Sequence, residues 1–238
     1  MTTEKKKFRE VFRNQRVLLP VIHVTSRAQV LENVVVARSA GADGVFLINH
    51  AMDHGELLDI YAEVRAEHPD WWIGINCLDL NPFEICEQAP DSVSGIWTDN
   101  ALVDERRSEQ PEASQVLAVR QKRNWTGLYF GGVAFKYQRL VKDLAAAAQK
   151  AMPYLDVVAT SGVGTGHAAD LDKIRTLKAA LGDFPLAIAS GITPDNITDY
   201  LELADCFLVA TGVSKSFDQL DPVPLGALVR KIRQMTQP

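Results

Sequence analysis

The sequence predicts a single (β/α)8 barrel, a TIM barrel, with a short N-terminal helix before its first strand. Its 238 residues are close to the roughly 250 that such a barrel typically needs. From about residue 17 to the end, apolar strand-like runs alternate with helix-like runs. Strands that are apolar throughout are typical of a buried parallel sheet. Three glycine-containing turns follow the last three strands, and in this fold the loops at that end of the strands form the active site.

The N-terminal segment and the absence of a linker determine the domain organisation that we expect. Phe8, Val11 and Phe12 recur at helical spacing, so residues 1–16 are predicted to form a helix that caps the bottom of the barrel. The basic residues of this segment leave membrane or nucleic-acid binding as a less favoured alternative. No compositional break or Pro/Ser-rich linker interrupts the chain, so we expect one domain over residues 1–238.

Each predicted strand is a short apolar run, and turn residues or a helix-capping signal follow most of them. The strands are predicted at residues 17–24, 44–48, 71–77, 93–97, 126–130, 156–160, 186–189 and 206–209. Helices are predicted at residues 55–67, 82–88, 112–123, 140–152, 171–181 and 225–235, with two more after Ser26 and Thr193. Ser26 and Gln29 form a capping box, and Thr193 followed by Pro194 is typical of an N-cap and a first helical position.

Charge, hydropathy and cysteine usage exclude several classes of function. A net charge of −5 disfavours non-specific nucleic-acid binding, and no run approaches the ~20 apolar residues of a membrane-spanning helix. No apolar segment typical of a secretory signal follows the basic N-terminus. Cys77, Cys86 and Cys206 lack zinc-ligand spacing, and an odd number of cysteines suits a reducing compartment. We expect a cytoplasmic protein without cofactor, metal, nucleic-acid partner or membrane partner, and the sequence leaves a homo-oligomer open.

The three glycine turns predict a cradle for a phosphate group. Glycine lets a ligand approach the backbone closely, and free N–H groups at a helix N-terminus favour an anion. The expected ligand-binding residues in these turns are Thr160, Gly162, Gly164, Thr165, Gly166, Ser190, Gly191, Thr211 and Gly212. A short helix is expected to begin within residues 213–217. The alternative is that the turns only reverse the chain. A dinucleotide site is disfavoured because the third glycine of the first turn falls one position early.

Polar residues also end the earlier strands, where they would face the same mouth of the barrel. His23 is a candidate acid–base catalyst because its ordinary pKa is near neutral, and Asp99 is its best carboxylate partner. Lys136 would bind an anionic group or form a Schiff base with a carbonyl. Asn49 and Asn76 would orient the ligand. The structural alternatives are a core histidine, an exposed loop carboxylate and a surface lysine.

Two further features leave alternatives open. His23, His50, Asp53 and His54 would form a metal site if they met, but their spacing matches no strong ligand motif. Residues 99–112 form one long polar stretch after the fourth strand. A loop of this length serves either as a lid over a site or as a disordered insertion.

Several segments resemble the BtpA family, which includes a photosystem I assembly-associated protein and SgcQ-like bacterial proteins. Residues 159–166, 189–196, 209–215 and 221–223 are similar to its "TG..TG", "SG-[VI]-T-x-x-N", "VGT-x-x-K" and "N-P-V-D" segments. His23, Asn76 and Lys136 fall at further positions of the family pattern. The resemblance is concentrated in the last third of the chain, and it implies a phosphate-binding barrel.

The chain departs from that family at Thr25-Ser26, Asn49-His50 and Tyr137. Its glycine segments are also similar to those of phosphoribosylanthranilate isomerase and related phosphosugar barrels. We therefore predict an enzyme, an isomerase or a lyase of the aldolase type, that acts on a small phosphorylated metabolite such as a phosphosugar or phosphoribosyl compound. The alternatives are a non-catalytic binding or assembly factor of the BtpA kind and a metal-dependent hydrolase.

Overall fold

Eight parallel strands close into a barrel in the order of the sequence, which confirms the predicted fold class. The structure is a computed structural model that describes residues 3–235. The strands β1 to β8 are Val17–Val24, Gly44–Asn49, Trp72–Asn76, Gly95–Thr98, Leu128–Gly132, Val157–Thr160, Leu186–Ala189 and Cys206–Val209. The helices α1 to α8 are Thr3–Val11, Arg27–Ala40, His54–Glu67, Pro82–Gln88, Pro111–Lys122, Leu144–Ala151, Leu171–Leu181 and Pro222–Met235.

Side-chain alternation along each strand divides the core into two layers. On β1, Val17 and Leu19 belong to a cluster that fills the barrel interior, whereas Leu18 and Ile22 pack in the layer shared with the surrounding helices. All eight residues of β1 are buried, as a strand covered on both faces requires. The packed interior leaves space for a ligand only at the ends of the barrel.

Helix α1 lies across the bottom, where the strands begin. Phe8 and Phe12 are buried in the interior cluster, and the Phe12 ring lies 5.4 Å from the Trp72 ring. Lys7 Nζ donates to a carboxylate oxygen of Asp156 at 3.0 Å, which fixes the helix to the sheet. Residues 1 and 2 of the predicted N-terminal helix lie outside the described residues, as do 236–238 of the predicted domain.

The prediction of an α-helix after Thr193 is wrong. Thr193 Oγ1 accepts from Asp195 N at 3.2 Å, as an N-cap would, but the chain forms only a 3₁₀ turn at Ile197–Asp199. Asn196 explains the difference, because its side-chain nitrogen donates to Gly191 O at 2.7 Å and its oxygen accepts from Thr193 N at 2.9 Å. These local bonds close a turn and compete with helix formation.

The prediction of a short helix that begins within residues 213–217 is also wrong. A 3₁₀ turn at Thr211–Val213 leads into an antiparallel hairpin of β9, Ser214–Ser216, and β10, Gln219–Leu220. The buried Asn33 of α2 holds this hairpin, because its side chain donates to Asp218 O and accepts from Leu220 N, both at 2.8 Å.

The polar stretch of residues 99–110 is an ordered loop that packs against α6. Glu105 is buried and pairs with Arg139. Lys150 Nζ donates to Glu105 O at 2.5 Å and to Arg107 O at 2.7 Å. The loop is therefore held to the side of the barrel, and only its first residue, Asp99, reaches the central cavity described below. No helix in the described part of the chain combines the length and the apolar character that crossing a membrane requires.

Candidate functional site

A cavity of about 330 Å³ occupies the mouth of the barrel, at the carboxyl ends of the strands. We call it the central cavity. Its polar and aromatic lining comes from nearly every strand end and includes His23, His50, Asp99, Lys136, Thr165, Ser190, Thr211 and Phe217. All three predicted catalytic residues thus lie in one cavity, although they are separated by up to 113 positions in sequence.

His23 is the most buried of these groups, at 9% exposure. Its Nδ1 makes no hydrogen bond within the described residues. The rings of Phe217 and His50 lie 4.2 Å and 4.8 Å away, centroid to centroid. Burial first, then repulsion from His50 and Lys136, lowers the pKa of His23 to about 4. His23 is therefore a neutral imidazole at physiological pH.

Asp99 follows β4 and is fixed by one residue at the end of β3 and one in the loop after β5. Asn76 Nδ2 donates to its Oδ1 at 3.1 Å, and Gln138 Nε2 donates to its backbone carbonyl. A side chain at Gly132 would overlap that carbonyl, so glycine is required there by close packing. Burial raises the pKa of Asp99, and the Asn76 hydrogen bond, Lys136 and His50 oppose this rise. The result is a carboxylate that is a stronger base than an exposed one.

Lys136 brings positive charge to the same cavity. Its backbone N–H donates to Ser161 Oγ at 2.8 Å, which ties the end of β5 to the end of β6. Its Nζ donates to Thr165 Oγ1 at 3.3 Å. The neighbouring Tyr137 reaches the same loop, because its hydroxyl accepts from Thr165 N at 3.3 Å. The ammonium group thus lies at the edge of the first glycine turn.

Two of the predicted glycines present backbone to the cavity. Gly166 and Gly191 line it and have positive φ angles of 77° and 68°. Their N–H groups donate to no acceptor within the described residues. Thr165, Ser190 and Thr211 lie beside them in the lining. Free backbone donors next to hydroxyl groups and a lysine are suited to binding an anion.

Several predicted ligand-binding residues do not line the central cavity. Gly162 and Gly212 are glycines because the backbones of His167 and Ile192 pass too close for a side chain. The remaining residues outside this lining are Asn49, Asn76, Thr160 and Gly164.

Hydrogen bonds account for three of these positions. Thr160 Oγ1 donates to Ala134 O at 3.4 Å. Asn49 Nδ2 donates to Asp79 Oδ1 at 2.6 Å, so it connects β2 to the loop after β3. Asn76 lies behind Asp99 and acts by orienting it. The polar groups of these three residues stabilise the loops around the site. Sequence alone does not distinguish this role from direct contact with a ligand.

Phe217 is the site residue that the sequence reasoning missed. It lies at the tip of the β9–β10 hairpin, and its ring covers His23 and is 5.2 Å from His50. The only signal in the sequence is one aromatic residue in an otherwise polar run, Ser214–Ser216 and Asp218. Phe217 shields His23 from water and thereby contributes to its low pKa.

The residues considered for a metal site serve other purposes. Asp53 caps α3 by accepting from Glu56 N at 2.9 Å. His54 Nδ1 lies 2.8 Å from Asp79 Oδ2, and Asp79 also accepts from His54 N. Among the described residues, no three His, Cys, Asp or Glu side chains are grouped as a metal site would require.

Two curated relatives carry the name N-(5'-phosphoribosyl)anthranilate isomerase. The protein of Haloarcula marismortui is 30% identical over 111 residues, which cover 40% of this chain and 51% of the relative. The chain thus matches about half the length of that relative. The protein of Acinetobacter calcoaceticus is 26% identical over 185 residues, which cover 75% of this chain and 79% of the relative. No protein-family model matches the chain, and the BtpA resemblance stays a prediction.

Solved structures place the same fold on several enzymes. Tryptophan synthase subunit alpha from Legionella pneumophila superposes with a TM-score of 0.69 at 14% identity and covers 98% of this chain and 99% of its own. (S)-3-O-geranylgeranylglyceryl phosphate synthase from Thermoplasma acidophilum, in complex with sn-glycerol-1-phosphate, gives 0.68 at 14% identity with the same coverage. Phosphoribosyl anthranilate isomerase from Thermus thermophilus gives 0.63 at 17% identity and covers 92% and 99%. The chain is similar to these barrels in fold.

Proposed function

We propose that this protein is an isomerase that acts on a small phosphorylated sugar derivative, a phosphoribosyl compound being the favoured class. The observation that carries the proposal is the convergence of His23, Asp99 and Lys136 in one cavity beside free backbone donors. The names of the two curated relatives support the phosphoribosyl class. The fold neighbours add that this barrel is used by enzymes with phosphorylated substrates.

The phosphate group would bind at the side of the cavity formed by the loops after β6, β7 and β8. The N–H groups of Gly166 and Gly191 would donate to its oxygens, and Thr211 would add a hydroxyl group. Lys136 lies close enough to Thr165 to supply a positive charge at this side. Phosphate sites in TIM barrels commonly use the loops after the last strands in this way.

The opposite pKa shifts of Asp99 and His23 support the following proton-transfer roles. Asp99 is a buried carboxylate of raised pKa, so it would remove a proton from the carbon next to a carbonyl or imine. His23 is neutral, so it would donate a proton or a hydrogen bond to the oxygen on which negative charge develops. The Lys136 ammonium would stabilise that charge, and Phe217 would keep water from His23.

The first experiment measures binding and proton abstraction with one probe, ribose 5-phosphate. At ten times its dissociation constant we expect stabilisation by about 1.4 kcal/mol and a rise in melting temperature of about 3–5 °C. Thr211→Glu, which places a carboxylate at the cavity edge, is expected to abolish the rise. Thr176→Glu on the exposed face of α7 is the matched control and should keep it. Incorporation of deuterium from D₂O, followed by NMR, reports abstraction of a carbon-bound proton.

The outcomes separate the alternatives. Absence of a thermal shift with both ribose 5-phosphate and inorganic phosphate would contradict the phosphate site. Binding without deuterium incorporation in ribose 5-phosphate or a phosphoribosyl amine would favour a non-catalytic binding or assembly factor. Borohydride trapping of substrate on Lys136 would favour the lyase instead.

A further inference from the structure

A second cavity lies beside the central one, on the outer side of the ends of β5 and β6. It measures about 320 Å³, which is within the size range of small-molecule sites. Residues 134–141 form one wall, and the first turn of α7 forms another. Only Lys136 and Tyr137 are common to the linings of the two cavities. We call this second cavity the side pocket.

The rim of the side pocket is aliphatic and open to water. Leu140 and Val163, from the loops after β5 and β6, are 83% and 85% exposed. Val141 and Leu144 continue the apolar surface inward. Single exposed apolar residues need no explanation, but here they surround a cavity, and covering them with an apolar group is favourable. The pocket is therefore suited to the apolar part of a ligand.

The inner wall carries a positive charge. Lys173 lies in the first turn of α7, and its Nζ donates to Ala134 O at 2.5 Å and to Ser161 O at 2.7 Å. An ammonium group has three protons, so one donor remains for a ligand. Burial lowers the pKa of Lys173 to about 8, which leaves the group mainly protonated at pH 7.

The charges around Lys173 leave a positive excess. Within the described lining, Lys136, Arg139 and Lys173 face a single carboxylate, that of Asp170. Arg139 is paired with Glu105 outside the pocket, and Asp170 is engaged as the N-cap of α7 through Lys173 N at 2.9 Å. With Arg139 neutralised by Glu105, two lysines face the one carboxylate of Asp170, and the remaining positive charge favours an anionic head group.

We propose that the side pocket binds a small amphiphilic carboxylate. Its aliphatic part would cover Leu140, Leu144 and Val163, and its carboxylate would accept from Lys173. The side pocket shares Lys136 with the central cavity, but its proposed head-group contact is Lys173, and the proposal does not depend on the isomerase function.

The test uses three probes that share one tail and differ in head group, titrated into the full chain at pH 7 by isothermal titration calorimetry. We expect octanoate to bind about tenfold more tightly than octanol, and octylamine to bind more weakly still. Leu140→Asp places a carboxylate on the exposed rim and should weaken octanoate binding about tenfold. Val35→Asp is the matched control, because Val35 is a 58% exposed aliphatic residue on α2, and it should leave binding unchanged.

Lys173→Met tests the head-group contact and should reduce the preference for octanoate over octanol. Because Lys173 also donates to two backbone carbonyls, the folding of this variant is first checked by circular dichroism. If it does not fold, the Leu140→Asp result alone tests the proposal. Octanoate that fails to bind the wild type at millimolar concentration, or that binds no better than octylamine, would overturn the proposal. Unchanged octanoate binding by Leu140→Asp would overturn it as well.

Discussion

The two ends of the barrel use charged residues in opposite ways. At the bottom, Asp156 pairs with Lys7 and Arg120, and Asp205 pairs with Arg9 and Lys178. These aspartates also accept backbone N–H groups, so their oxygens are satisfied within the protein.

At the top, no salt bridge within residues 3–235 involves His23, Asp99 or Lys136. These groups converge on a cavity, where Lys136 contributes to the lowered pKa of His23 and opposes the rise in the pKa of Asp99. Groups held close together without direct ionic partners are available to a ligand or a reacting molecule. The comparison therefore indicates that the charged groups at the bottom serve stability, whereas the three groups of the central cavity are available to a ligand.

The largest expected effect is the loss of activity in Asp99→Asn. An amide cannot accept the proton, so we expect the rate of deuterium incorporation into the substrate to fall about 10³-fold. The free energy of unfolding, measured with urea, should change by less than about 1 kcal/mol, because Asp99 has no ionic partner to lose. Retained activity would show that Asp99 is not the base. A large loss of stability would show that the top also relies on its charges for folding.

Asp156→Ala tests the other end. It leaves two cations and the Tyr129 N–H without their partner in a buried position, so the free energy of unfolding should fall by about 3 kcal/mol. The affinity of the folded variant for ribose 5-phosphate should stay unchanged. Asp172→Ala is the control, because the exposed Asp172–Arg175 pair on α7 contributes less than about 1 kcal/mol. A weakened affinity in Asp156→Ala would mean that the two ends are coupled.

Sequence alone was sufficient for the barrel because apolar strands and helix caps are local signals. β1, β7 and β8 have the predicted boundaries. The helix after Thr193 was predicted from an equally good local signal and is wrong, because the Asn196 side chain bonds to Gly191 and Thr193. An asparagine side chain that bonds the nearby backbone competes with helix formation, and the N-cap signal does not show which arrangement forms.

The candidate site was less predictable from the sequence than the fold. His23, Asp99 and Lys136 lie at strand ends, and the topology of the barrel brings strand ends together. Gly162, Gly191 and Gly212 were predicted as ligand contacts, but neighbouring backbone requires glycine at all three, and only Gly191 also lines the cavity. A glycine that admits a ligand and one that admits another chain segment are identical in sequence. Phe217 and Lys173 reach their cavities from a hairpin and a helix. The only local signal for Phe217 is that it is an aromatic residue in a polar run.

The smallest expected effect is a decrease in the free energy of unfolding at acid pH that comes from His23 at the top of the barrel. His23 has its pKa lowered from 6.5 to about 4 by burial, then by repulsion from His50 and Lys136, against a small attraction to Asp218. The unfolded chain therefore binds this proton more strongly than the folded protein does. Stability due to His23 is complete above pH 6.5 and is lost as the pH falls towards 4. At pH 5 the loss is at most about 2 kcal/mol, because the cavity side of the ring is open to water.

His23→Asn removes this proton-binding difference while it keeps a polar side chain. The unfolding free energy is measured by urea denaturation at pH 8 and pH 5. The advantage of the wild type over the variant should be smaller at pH 5, by up to about 2 kcal/mol. Titration of the wild-type imidazole by NMR should place its pKa near 4. If wild type and variant lose stability in parallel between pH 8 and 5, His23 is not held neutral by the fold. His50, whose pKa is also lowered by burial and by Lys136, would then become an equal candidate for the neutral donor.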